Sequence, residues 1–258
     1  MDRPAHAHPR RPLRRQAVSG AGISAARRRL PRVVRRGQDG QAQGQPATVD
    51  RTVRRRPRIP RSAVIRLDID PDRIDPRAIR RAVAVLHDGG VAAYPTDTVY
   101  ALGCALEARK ATEKIYRVKK MDRHHRLALI CPDVATAAQF GHFTRDAYRL
   151  ARRLLPGPYT FVVPATADVP RTVLDRKRRQ VGLRVPNHPI ALALARELGR
   201  PLLTTSAGAT LDDTLTAYGT AVDVAIDGGP TLGEPSTVLR VDADGVEVLR
   251  EGAGPIDW

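Results

Sequence analysis

Between residues 75 and 90 apolar side chains recur at helical spacing, Ile79, Ala82, Val83 and Leu86, behind Asp75-Pro76 and ahead of Gly89-Gly90. An aspartate N-cap, a proline at the first helical position and a glycine stop predict a helix there. Ala108, Ala111, Ile115 and Val118 predict a second helix, which delivers Lys119-Lys120 at its C-terminal end, where the helix dipole favours cations. Ala147, Leu150, Ala151 and Leu154 mark a third, closed by Pro156-Gly157-Pro158, and Asn187-His188-Pro189 opens a fourth that runs to Gly199. Between them lie short apolar runs, at 91–94, 127–130, 159–163, 181–185, 202–205, 222–226, 236–241 and 246–249. Helices alternating with nearly continuous apolar strands predict one α/β domain, a mixed sheet covered by helices.

This texture begins near Ala63, and composition changes at the same place. Residues 1–62 hold 17 arginines, no lysine and three acids, so they carry +14 of the chain's +17 and leave +3 for the other 196 residues. The segment has seven prolines and little to bury, which predicts a disordered extension over 1–62 and a folded domain over 63–258. Three readings of the extension stand: a basic arm that touches nucleic acid, an arginine-rich transit segment, or sequence upstream of the true start. No apolar stretch is long enough for a membrane span or a signal sequence. Two cysteines, Cys104 and Cys131, without metal-ligand spacing, point to a reduced, cytoplasmic protein and to no protein-held metal.

Candidate chemistry gathers where strands end. Tyr94 runs into Pro95-Thr96-Asp97-Thr98, and polar residues close other strands at Thr160, Arg184, Thr204 to Ser206 and Ser236-Thr237. Open α/β sheets bind ligands at such ends, and hydroxyls beside Lys119, Arg184 and Arg250 suit phosphate oxygens or a zwitterion. Singly, each residue also reads as a cap or a solvated charge.

Taken together, the blocks are specific. The stretch from Tyr94 to Gly103, Pro-Gly-Pro-Tyr-Thr at 156–160, Val-Gly-Leu-Arg-Val-Pro-Asn-His-Pro at 181–189, Thr-Thr-Ser-Ala at 204–207, Ile-Asp-Gly-Gly at 226–229, Pro-Ser-Thr-Val at 235–238 and Leu-Arg-Glu-Gly at 249–252 follow in order. They resemble the YrdC-like family of threonylcarbamoyl-AMP synthases. The resemblance implies a single twisted mixed α/β sheet with a concave basic cleft. It also implies a nucleotidyltransferase that joins L-threonine, bicarbonate and ATP, with Mg2+ on the phosphates, in the threonylcarbamoyladenosine modification of tRNA. On this pattern Lys119, Arg184 and Ser206 are the catalytic candidates. Thr96, Thr98, Lys120, Thr160, Ser236 and Arg250 surround the substrate and nucleotide.

Two departures matter. Where the synthases carry Lys-x-Arg and Ser-x-Asn, this chain has Lys119-Lys120-Met121 and Ser206-Ala207-Gly208. The Asn-Pro-Leu-Ile-Val-His segment of the synthases is also replaced, by Arg126-Leu127-Ala128-Leu129-Ile130, a pattern closer to the YciO subgroup. Two readings follow. One is a synthase-type enzyme of weak or altered activity, in which Lys120 reaches into the cleft for the missing arginine. The other is a non-synthase homologue that binds double-stranded RNA, tRNA or a nucleotide in the same cleft, with Arg123, Arg126 and the run 176–179 along its wall.

Overall fold

The computed structural model describes residues 33–34, 64–121, 127–171, 173–174 and 179–257, which fall in one compact unit, Pro31–Trp258. The expectation for residues 1–62 concerns, apart from Val33–Val34, residues outside that set. In chain order the elements are β1 (Val33–Val34), β2 (Ile65–Asp68), α1 (Pro76–His87), β3 (Ala92–Tyr94), β4 (Tyr100–Ala105), α2 (Arg109–Val118), β5 (Ala128–Ile130), α3 (Val134–Phe140), α4 (Arg145–Leu154), β6 (Tyr159–Pro164), β7 (Gln180–Arg184), α5 (Pro189–Leu198), β8 (Leu202–Gly208), α6 (Leu211–Tyr218), β9 (Val224–Asp227), β10 (Thr237–Asp242) and β11 (Gly245–Arg250). The strands form one mixed sheet in the order β1-β11-β10-β6-β7-β5-β8-β4-β3-β9-β2.

The four helices read from periodicity are present with their stops. Asp75 caps α1 by accepting from the Arg77 amide at 2.8 Å, and Gly199 ends α5 at a φ of 70°, where a Cβ would be strained. The strand β4 was not anticipated. Residues 100–105, given no element by the sequence, form the rung between β3 and β8. The helices α3 and α6 and the edge strand β2 were also unforeseen.

Because paired residues share a face, the register sorts the sheet's two sides. Leu102, Leu129, Phe161, Leu183, Leu203 and Leu239 all point to one side, where they join the larger buried cluster with Ala111 and Ile115 of α2, Ala137 and Phe140 of α3, and Ala147 and Ala151 of α4. The other side is divided. At the β2 end, Leu67, Ala92, Tyr94, Ala101, Ile130, Leu202, Val224 and Ile226 pack beneath Ile79, Val83 and Leu86 of α1 and Ile190, Leu194 and Leu198 of α5. At the β10–β11 end the same side is lined by small, polar and charged residues, and it borders a cavity.

Both cysteines lie in the first cluster with no exposed surface, and burial pushes their thiols up to about 11 for Cys104 and about 12 for Cys131. Neither thiol is expected to react with a disulfide reagent at pH 8 in the folded chain, since the thiolate is the nucleophile. Both should react in denaturant, and reaction at the native rate of a free thiol would contradict this packing. Among the described residues no helix is long and apolar enough to cross a membrane.

Candidate active site

The cavity, of about 580 Å³, lies over the face of the sheet rather than at the strand ends where the sequence placed it. The pairs Ala101↔Ser206, Ala128↔Thr204, Ala128↔Gly182, Gly182↔Val162, Thr160↔Val238, Val162↔Arg240 and Val238↔Arg250 bring alternate residues of seven strands to that face. The floor is low because its centre is Gly182, flanked by Ala128. A Cβ on Gly182 would stand 3.2 Å from Thr160 Cγ2 and 3.4 Å from Ala128 Cβ. Ser206 sits inside β8 beside a bulge, since the register shifts between Tyr100 and Ala101. Such bulges re-aim side chains next to sites.

Among the described residues four cations line the cavity: Lys119, Arg184, Arg240 and Arg250. Arg184, at the end of β7, is 5% exposed and is held from behind. Its Nη2 donates to Thr98 Oγ1 at 2.8 Å, to Thr96 Oγ1 at 3.4 Å, and to the Asp97 carboxylate in a close ion pair. Asp97 also accepts from the Asn187 amide at 3.0 Å, which ties the 95–99 loop to the start of α5. The Nε of Arg184 is buried and has no hydrogen-bond partner. The predicted Thr96 and Thr98 are fully buried and hold Arg184; they do not line the cavity. Asp97, passed over in the choice of site residues, is the larger partner. Its only sequence signal was an acid between two hydroxyls that turned out to face an arginine.

At the far wall Thr160 Oγ1 and Ser236 Oγ lie 3.0 Å apart, and Arg250 donates to Ser236 O from Nε at 3.1 Å and from Nη2 at 2.7 Å. Burial, and secondarily the neighbouring Arg184, lower the Arg250 pKa. Arg240 is paired with Glu247 of β11. Lys119, the C-cap of α2, donates to the Ser206 carbonyl and sits 4.9 Å from the centre of the Tyr218 ring. Burial lowers its pKa as well. Among these cations Arg184 pairs with Asp97 and Arg240 with Glu247.

The remaining expectations divide. Lys120 is exposed, with a φ of 50°, and does not line the cavity, so it does not replace the missing arginine there. Met121 does line it. Gly208 does not, and its near side is filled: a Cβ would lie 2.8 Å from Thr214 Oγ1 and 3.1 Å from the Thr214 amide of α6. Gly208→Asn is therefore expected to destabilise the fold by about 1–3 kcal/mol rather than to restore a ligand contact. Urea unfolding of that variant checks this, and unchanged stability would overturn it. Of the basic residues proposed for an RNA wall, 123, 126 and 176–178 lie outside the described residues, and Arg179 is exposed and does not line the cavity.

Among the described residues no carboxylate lines the cavity, and no group of three His, Cys, Asp or Glu side chains is placed to hold a metal ion. This donor set does not fit a resident metal. A magnesium ion here would be substrate, carried on nucleotide phosphates.

The Sua5/YciO/YrdC family model, described as telomere recombination, matches residues 84–252. The uncharacterized protein YciO of Escherichia coli is 37% identical over 196 residues, covering 73% of this chain and 95% of that protein. The crystal structure of E. coli YciO superposes with a TM-score of 0.73, at 36% identity over 75% of this chain and 98% of that one. The threonylcarbamoyl-AMP synthase of Bacillus subtilis is 34% identical over 69% of this chain but only 54% of its own length. P. abyssi Sua5 complexed with L-threonine gives a TM-score of 0.71 at 28% identity, over 75% of this chain and 59% of that one. With the fold, the ordered blocks and the family model in agreement, the chain belongs to the Sua5/YciO/YrdC family.

Proposed function

We propose that the cavity binds a nucleotide together with an amino acid and forms a carbamoyl-adenylate of the threonylcarbamoyl-AMP type, more weakly than the synthases do. The observation that carries this reading is the set of cations and hydroxyls, Lys119, Thr160, Arg184, Ser236 and Arg250, that line one cavity. Such a set suits a carboxylate or phosphate oxygen, to which charge-assisted hydrogen bonds are the strong ones. The threonine complex of a 28% identical relative supports an amino acid as one occupant. A volume near 580 Å³ is that of a small-molecule site, which favours this reading over duplex RNA in the same cleft.

In such a reaction the amine and bicarbonate give a carbamate and water. A carbamate oxygen then attacks the α-phosphorus of ATP and pyrophosphate leaves, so no protein nucleophile is needed. Arg184 and the Thr160, Ser236 and Arg250 wall orient the reacting groups, and Lys119 offsets phosphate charge. Pyrophosphate release with ATP, bicarbonate and each amino acid in turn is the test. Slow release that requires both bicarbonate and L-threonine is expected. Release independent of both, or none together with no thermal stabilisation by ATP or threonine, would sink the proposal.

A further inference from the structure

On the opposite face of the sheet a second cavity, of about 570 Å³, opens at the start of α4 and is bordered by Phe143, Arg145, Tyr148 and Arg149. We propose that it seats one base of a single-stranded nucleic acid whose phosphates run along α4. Contacts hold the pocket wall where a base would rest. The His142 amide donates to Pro164 O at 2.8 Å, and the Phe143 ring centre lies 6.4 Å from that of buried Phe161. Tyr148 meets Phe143 edge to face, 6.2 Å between centres at 80°. Phe161 alternates with Thr160 and Val162 of the first cavity's wall, so the two sites lie on opposite sides of β6.

The charge beside these rings has one sign. Arg145, Arg149, Arg152 and Arg153 are exposed and fall at i, i+4, i+7 and i+8, one stripe of a helix whose opposite side is anchored by buried Ala147 and Ala151. The stripe runs about 12 Å along the axis. Asp146 pairs with Arg149 at 3.0 Å, and among the described residues no carboxylate forms an ion pair with the other three. The domain beyond residue 62 carries only +3 in all, so four arginines against one acid on ten residues is a local concentration. Held aromatic faces beside an arginine row are the means by which single strands are bound with little regard to sequence. An acidic protein segment would need the row but not the rings.

The test uses the full chain and a short fluorescein-labelled oligouridylate, with anisotropy measured over a range of salt. The N-terminal arginines are common to all variants and cancel in the comparison. Replacing Arg145, Arg149, Arg152 and Arg153 together by glutamine should make the slope of log K against log salt shallower by about 3, since each phosphate contact to a single strand contributes about 0.7. Tyr148→Leu, which keeps the pocket apolar but removes the ring, should weaken binding about tenfold at fixed salt. An unchanged slope in the glutamine variant overturns the proposal. So does competition by polyglutamate as strong as that by unlabelled oligonucleotide, which would mark the stripe as a surface for acidic proteins. Loss of binding to a duplex equal to the loss for the single strand, with no effect of Tyr148→Leu, overturns it too.

Discussion

Arg184→Met is expected to lower the unfolding free energy by about 3–5 kcal/mol, the largest effect of any single substitution in the site. Both partners of the Arg184–Asp97 pair are less than a tenth exposed. Removing the guanidinium therefore leaves a buried carboxylate supported only by the Asn187 amide, and it strips the Thr98 hydroxyl of its donor. Asp97→Asn in the same background removes the stranded charge and should recover part of the loss. The double variant is thus expected to be more stable than Arg184→Met alone. Urea unfolding of the four corners of this cycle measures the coupling. Strictly additive costs would mean that the two side chains do not depend on one another, and that the clasp between the 95–99 loop and α5 holds by other means.

The second large effect is functional. Met121→Arg should raise nucleotide affinity or threonine-dependent pyrophosphate release by roughly ten to a hundredfold, the equivalent of one charge-assisted hydrogen bond of about 1.5–3 kcal/mol. Met121 lines the cavity near Lys119, at the place where the resembled synthases carry arginine, and Lys120 is exposed and does not line it. Calorimetric titration with ATP and the release assay read the gain, with Met121→Leu as the control for packing. No gain in either measurement, from a variant that folds, would show that the apolar side chain at 121 is not what limits this chain.

Much of the fold was legible in the sequence because helix signals are local. Asp75-Pro76 with Gly89, and His188-Pro189 with Gly199, state a start and a stop within a few turns of one another. Residues 100–105 carry no such mark. They are apolar or glycine on both sides because β4 is buried between two neighbours, so neither alternation nor helical spacing appears. The seven residues of α3 are too few for a period to show. For the site, the residue types were readable and their arrangement was not. Thr160, Ser236 and Arg184 were chosen as strand-end groups and Arg250 as a phosphate cation, but they meet because β11 lies beside β10, β10 beside β6, and β6 beside β7, a pairing order with no local signature. The same gap hid the placement of Gly208 against Thr214, which only the approach of α6 reveals.

Along β6, β7 and β8 the residues that hold the chain together and those that meet a ligand alternate one by one. Phe161, Leu183 and Leu203 are sealed in the core, while Thr160, Val162, Gly182, Arg184, Thr204 and Ser206 face the cavity. Among the described residues, α1 and α5 roof the β2 half of that side, and no helix packs over the cavity-facing positions of the other half. Heredity can thus vary ligand contacts at codons such as 160, 162 and 206 while leaving the intervening codons as they were, whereas Arg184, clasped by Asp97, serves fold and site at once.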